Sequence, residues 1–210
     1  MIILTGGAGM IGSMIAWHLN TILNKDQFVI VDEFLVPEQE KNIDKRDFID
    51  LIGKNELPNY LKSNSQIEAI IHMGAISATT ENNFNNLLKS NIRYSQFLWD
   101  WASANQVPLI YASSAATYGD GEFGYKDNSD ALLNYKPLNA YGYSKHFFDM
   151  WVQNQLQQNL PKPPKWFGLK FFNVYGPNEY HKGSMQSVVS QVCKRAILDE
   201  AAILFRSHHP

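Results

Sequence analysis

Tyr141 and Lys145, four residues apart in Tyr141-Gly142-Tyr143-Ser144-Lys145, are the pair in this chain best suited to chemistry on an alcohol or a carbonyl. On a helix, positions i and i+4 share a face. A free phenol ionises near pH 10, too high for a base at neutrality, and an ammonium beside it favours the phenolate. Ten tyrosines and fourteen lysines in 210 residues would give about 0.7 such pairs by chance, so the motif needs its surroundings to mean anything. Upstream, the apolar run Pro108-Leu109-Ile110-Tyr111 leads into Ser113-Ser114. A serine hydroxyl at such a strand end can hydrogen-bond a reacting oxygen.

Oxidising an alcohol also requires somewhere for hydride to go, and the N-terminal residues provide it. Ile2-Ile3-Leu4 runs into Thr5-Gly6-Gly7-Ala8-Gly9-Met10-Ile11-Gly12, which places Gly6, Gly9 and Gly12 after a strand and at a helix start. Gly6 permits a tight turn, Gly9 lets backbone approach a pyrophosphate, and Gly12 allows close helix–strand packing. The helix N-terminus then offers free N–H groups to the phosphates. Asp32 ends the second apolar run, Phe28–Val31, where a carboxylate can accept from adenosine ribose hydroxyls. Glu33 follows. Two carboxylates repel a 2′-phosphate, so the local chemistry leans towards NAD over NADP. Lys145 can also hold the nicotinamide ribose.

The elements that must position these groups alternate. Helical spacing runs over 11–23, 86–105, 141–156 and 184–199, the second with Leu87, Leu88, Phe97, Leu98 and Trp101 on its apolar side. Short apolar runs at 2–4, 28–31, 69–72, 108–111 and 166–172 read as strands, and Ile203-Leu204-Phe205 as another. The polar stretch 38–62 carries no assignment. Strand–helix alternation predicts an α/β fold, a Rossmann-type doubly wound parallel sheet. Residues 1–177 are expected to form the dinucleotide-binding domain, and 178–210 the start of a substrate region cut short.

Composition excludes several classes. Net charge is -2 with the two signs interspersed, so no basic stripe invites nucleic acid or a membrane surface. No apolar run reaches membrane length, and Met1-Ile2-Ile3-Leu4 is too short for a signal peptide, so a cytoplasmic protein is expected. The single cysteine, Cys193, cannot pair within the chain; its run of Val188, Val189, Val192 and Ile197 predicts a buried thiol. The six histidines are scattered apart from His208-His209, so no metal site is expected.

The spacing Thr5 to Gly12 resembles the extended short-chain dehydrogenase/reductase family, whose members commonly begin TGGAGFIG; Met10 stands at the usual Phe. That resemblance assigns catalysis to Ser114, selected over Ser113 by the Tyr118-Gly119 that follows, with Tyr141 and Lys145. Longer stretches resemble the ADP-heptose 6-epimerases of that family: His72 to Ser77 with Thr79-Thr80-Glu81, Tyr111 to Gly119, Pro137 to Lys145, Phe172 to Pro177, and above all His181-Lys182-Gly183-Ser184-Met185. What this implies is inversion at C6 of the heptose of an ADP-sugar, through transient oxidation, in lipopolysaccharide core synthesis. Lys182 becomes a second acid/base partner to Tyr141. Cofactor contacts fall on Gly6, Gly9, Met10, Ile11, Gly12, Asp32, Glu33, Lys54, Met73, Gly74, Ala75, Ile76, Ser77, Asn91, Tyr141 and Lys145. Substrate contacts fall on Ser114, Asn173, Ser184, Gln191, Phe205, Arg206, Ser207 and His208. The resemblance also implies NADP, against the lean of Asp32 and Glu33, and a homo-oligomer paired through the helices 86–105 and 141–156.

Rival functions remain open at this point. Dehydratases of the family usually carry an acidic pair after the strand serine or threonine, where this chain has Ala115-Ala116, so dehydration is disfavoured. A UDP-sugar 4-epimerase would not require His181-Lys182-Gly183. Compared with the family, the C-terminal portion that builds most of the substrate domain is missing, which leaves a dinucleotide-binding module without turnover as the alternative of a different class.

Overall fold

The computed structural model describes residues 1–33, 36–127 and 129–201. Among the described residues six strands form one sheet: β1 (Ile2–Thr5), β2 (Phe28–Val31), β3 (Asp50–Ile52), β4 (Ala69–His72), β5 (Leu109–Ser114) and β6 (Trp166–Phe171). Their order is β3-β2-β1-β4-β5-β6, and every neighbouring pair is parallel. Chain order therefore reverses between β1 and β4, and a crevice opens at that switch point outside the carboxyl ends of the strands.

Every residue of β1 and β2 is buried, so both faces are covered and the strands read as apolar runs. Ile3, Val29, Val31, Ile70 and Leu109 pack on one side with Leu98, Trp99, Ala102, Phe148 and Val152. Ile2, Leu4, Phe28 and Ile30 pack on the other with Ala16, Leu19 and Ile43. Alternation along β1 and β2 feeds the two cores in turn. Trp99 is fully buried, with its ring against Trp166 at 5.4 Å and Trp151 at 6.2 Å between centroids.

The helices are α1 (Met10–Thr21), α2 (Leu57–Ser63), α3 (Phe84–Leu87), α4 (Tyr94–Ala104), α5 (Ser129–Leu132), α6 (Ala140–Gln157) and α7 (Val188–Ile197). The long helix expected over 86–105 is α3 and α4 joined by a π-helical stretch, Leu88–Arg93, that contains Asn91. The unassigned polar stretch holds a 3-10 turn (Pro37–Asn42), β3 and α2. β3 escaped notice because it has three residues and two of them are exposed.

Two expectations need correction. The helix expected over 184–199 begins only at Val188. Ser184 belongs to the 3-10 turn Tyr180–Met185, Gly183 has φ +53°, and the Ser187 side chain caps the new start by accepting from Ser190 N–H. Cys193 is exposed, not buried. The apolar spacing of α7 predicted a helix correctly, but no side chain of α7 is buried, and Val188 and Val189 face solvent. Phe167 and Leu169 of β6 are likewise exposed. The strand expected at Ile203–Phe205, and the expected substrate contacts Phe205, Arg206, Ser207 and His208, lie outside the described residues.

Candidate active site

The glycine turn has the shape a pyrophosphate needs. Gly6 has φ +68°, and a Cβ there would meet Gly74 N at 2.6 Å. A Cβ on Gly12 would lie 2.0 Å from Gly6 O, so only glycine lets α1 start this close to β1. The residue at the N-cap of α1 is Gly9, with no side-chain cap, which leaves the first-turn N–H groups free for an anion. Asp32 braces the turn: Oδ2 accepts from Ala8 N–H at 2.8 Å, and Oδ1 accepts from Glu33 N–H at 2.8 Å. Burial pushes the Asp32 carboxyl up, and these backbone donors oppose that shift. Glu33 is exposed beside it.

A hydrogen-bond chain locks the turn to the end of β4. Gly74 N–H donates to Thr5 Oγ1 at 3.1 Å, and Thr5 Oγ1 lies 2.6 Å from His72 Nδ1. His72 Nε2 lies 2.8 Å from Ser95 Oγ, whose hydroxyl donates to Asn91 O at 2.7 Å. This pattern assigns the proton to Nε2, with Nδ1 accepting from Thr5. Burial, helped by the positive charges of Lys145 and Lys54, drives the imidazole pKa down to about 3, so the ring stays neutral. Asn91 then reaches back to the segment 73–77. Its Oδ1 accepts from Ile76 N–H at 2.9 Å, and its Nδ2 donates to Ile76 O and to Ser144 Oγ, each at 3.0 Å. The π-helical stretch therefore places an amide that shapes the loop Met73 to Ser77. Lys54 joins the same wall, donating to Ser90 Oγ at 3.0 Å with its ammonium 5.1 Å from the Tyr94 ring centroid.

Ser114, Tyr141 and Lys145 meet at the carboxyl end of β5. Asn139 caps α6 by accepting from Gly142 N–H at 2.8 Å, which puts Tyr141 in the first turn. A Cβ on Gly142 would lie 2.9 Å from Ala116 O, so the helix start sits directly on the 3-10 turn Ala115–Tyr118 that follows Ser114. The Ser114 hydroxyl stands against the Tyr141 phenol; burial raises the phenol's pKa, and Ser114 offsets only part of that rise. Lys145 is buried, and its Nζ donates to Ala112 O at 2.7 Å. Burial lowers its pKa to about 8, with the Asp149 carboxylate pulling the other way.

Asp149 and Lys170 were not singled out from the sequence. Asp149 lies one turn beyond Lys145 on α6, and Lys170 is on β6; they pair at 2.6 Å, both largely buried. Asp149 also accepts from Ser113 Oγ at 2.6 Å, and Lys170 donates to Thr117 Oγ1 at 2.8 Å. The pair thus ties α6, β5, β6 and the turn after Ser114 together. The i, i+4, i+8 spacing of Tyr141, Lys145 and Asp149 was the available signal.

The remaining expected residues lie farther round. Lys182 Nζ stands 3.3 Å from Met10 Sδ, at the glycine turn, and burial lowers its pKa. Asn173, Ser184 and Gln191 are exposed; Gln191 donates to Ser184 O and Gln186 O. Among the described residues no helix is long and apolar enough to cross a membrane.

With this geometry in place, the comparisons with known proteins agree on one lineage. A curated protein of Fusobacterium nucleatum named ADP-L-glycero-D-manno-heptose-6-epimerase is 48% identical over 213 residues, covering 99% of this chain. A protein of the same name from Nitratidesulfovibrio vulgaris is 41% identical and covers all of the chain. The chain spans 63% and 64% of the length of these two relatives. The crystal structure of ADP-L-glycero-D-manno-heptose-6-epimerase from Helicobacter pylori superposes with a TM-score of 0.78 at 29% identity, over 95% of this chain and 63% of that one. UDP-glucuronic acid 4-epimerase from Bacillus cereus, solved with NAD, shares the fold at 22% identity and TM-score 0.72, over 97% of this chain and 65% of that one. The sequence profile of the NAD dependent epimerase/dehydratase family matches residues 2–209, and the chain belongs to that family.

Proposed function

We propose that the protein inverts C6 of an ADP-heptose, converting ADP-D-glycero-D-manno-heptose to ADP-L-glycero-D-manno-heptose for lipopolysaccharide core. The observation that carries this reading is the meeting of Ser114, Tyr141 and Lys145 beside a dinucleotide turn, in a chain 48% identical to a protein of that name. A nicotinamide dinucleotide supplies a reversible hydride acceptor. Gly6, Gly9, Met10, Ile11 and Gly12 would hold its phosphates, Asp32 its adenosine ribose, and Lys145 its nicotinamide ribose.

The protein's own groups do the proton chemistry. Tyr141 takes the proton of the C6 hydroxyl and returns it after the sugar reorients. Ser114 donates to the reacting oxygen. Lys182 serves the opposite face of the sugar, with Asn173, Ser184 and Gln191 around the substrate. Incubation with ADP-D-glycero-D-manno-heptose, followed by NMR of the C6 configuration, tests this: a mixture of both epimers is expected, and unchanged sugar would refute it. A second reading, a dinucleotide-binding module without turnover, draws on the exposure of Asn173, Ser184 and Gln191. Retained cofactor with no inversion would favour it.

Asp32 and Glu33 crowd the end of β2 with negative charge, which favours NAD over NADP, while the likeness to heptose epimerases favours NADP. Mass analysis of cofactor released from the purified protein is expected to give NAD; NADP would mean that a 2′-phosphate is tolerated there despite both carboxylates. Burial raises the Tyr141 phenol above its ordinary value, and Ser114 offsets only part of that rise. The phenolate that takes the proton therefore grows with pH across the alkaline range, and turnover should rise with it. A profile flat across that range would remove Tyr141 from the base role.

A further inference from the structure

The segment 176–187 carries Lys182 and Ser184, and a single carboxylate closes it at the neck. Glu179 is only 3% exposed. Its Oε1 accepts from Gly176 N–H and from the Ser187 hydroxyl, each at 2.9 Å, and its Oε2 accepts from Ser187 N–H at 2.5 Å. Burial would raise this carboxyl, but those donors and the Lys182 ammonium more than offset it and hold it below its ordinary value. Between the two points that Glu179 joins, three side chains reach across to the glycine turn and its surroundings. Asn178 Nδ2 donates to Ser13 Oγ at 2.9 Å. Lys182 Nζ lies 3.3 Å from Met10 Sδ. His181 Nδ1 lies 3.3 Å from Asn42 Nδ2, which itself donates to Ala8 O at 2.7 Å. A loop pinned at its neck and touching three places around a phosphate-binding turn has the form of a strap.

We propose that Glu179 is a positioning residue that holds segment 176–187 across the glycine turn, and that this strap slows the release of a dinucleotide pyrophosphate seated beneath it. The proposal rests on the reading of that turn as the dinucleotide site. An ionised carboxylate suits the neck because all three groups pointing at it are donors. Glutamine keeps the size but turns an NH2 towards one of them, leaving a buried donor unsatisfied.

Dissociation of NADH and of NADPH, followed by loss of protein-bound fluorescence during a chase with the oxidised form, tests this alongside trypsin cleavage at Lys182. For Glu179→Gln, release about tenfold faster or more is expected, together with faster cleavage at Lys182, while circular dichroism of the α/β core is retained. Asn178→Ala, which leaves the neck intact and removes one outward tie, should fall between Glu179→Gln and the parent. Equal release rates in the parent and Glu179→Gln would overturn the strap, whatever trypsin shows. A parent protein that binds neither dinucleotide would overturn the reading of the turn itself and the strap with it. Cleavage needs no ligand, so it still reports whether Glu179 pins the loop.

Discussion

Tyr141→Phe should lower the rate of C6 inversion by about 10³-fold and weaken dinucleotide binding far less, since the phenol is one of many expected cofactor contacts. The substitution removes one oxygen, the one that Ser114 contacts and that the proposed mechanism deprotonates. Nothing that braces the glycine turn depends on that oxygen: Asp32 holds Ala8, and the chain from Gly74 to Asn91 runs through Thr5, His72 and Ser95. Parallel measurement of turnover and of cofactor binding by fluorescence titration checks both halves. A variant that inverts the sugar at the parental rate would remove Tyr141 from proton transfer. A variant that loses cofactor as fully as it loses turnover would make the phenol a cofactor contact rather than the base. Ser114→Ala should cost less, about 10²-fold, because one hydrogen-bond donor to the reacting oxygen is lost and the base remains.

The largest effect on stability is expected from Asp149→Asn. Lys170 is paired with Asp149 at 2.6 Å in a largely buried position, so neutralising the acid strands an ammonium away from water. Breaking a buried pair from one side costs about 3–5 kcal/mol, a large share of a domain's margin. Urea unfolding of the variant should show that loss, and the double variant Asp149→Asn with Lys170→Met should recover part of it, since no unpaired charge is then left. A single variant as stable as the parent would show that Lys170 finds water or another partner. The same change reaches the site, because Asp149 offsets the burial of Lys145 and orients Ser113 next to Ser114.

How much of this was legible beforehand depends on whether the determinants were local. β1 and β2 were readable because burial on both faces writes a continuous apolar run, and β4 and β5 because their apolar residues are buried on one face and half-buried on the other. The glycine turn was readable because strand, glycines, helix and Asp32 recur at fixed offsets. Tyr141 and Lys145 were readable as helix neighbours, and in the structure Ser114 stands against the Tyr141 phenol. Contacts between distant segments were not readable. Lys170 meets Asp149 only because β6 lies beside β5, and His72 meets Thr5 only because β4 lies beside β1. Glu179 looked like one more charged loop residue, since its donors are backbone N–H groups and a hydroxyl that no pattern announces. Cys193 failed for a related reason: periodicity marks the apolar face of α7 but not whether anything packs on it.

In the proposed reaction hydride leaves C6 and returns to the opposite face of the same carbon. The most direct measurement uses ADP-D-glycero-D-manno-heptose deuterated at C6, with the product examined by NMR and mass spectrometry after incubation in ordinary water. The expected product is ADP-L-glycero-D-manno-heptose with the deuterium still on C6. Inverted sugar that has exchanged its deuterium for solvent hydrogen would contradict hydride return, and no inversion at all would contradict the epimerase.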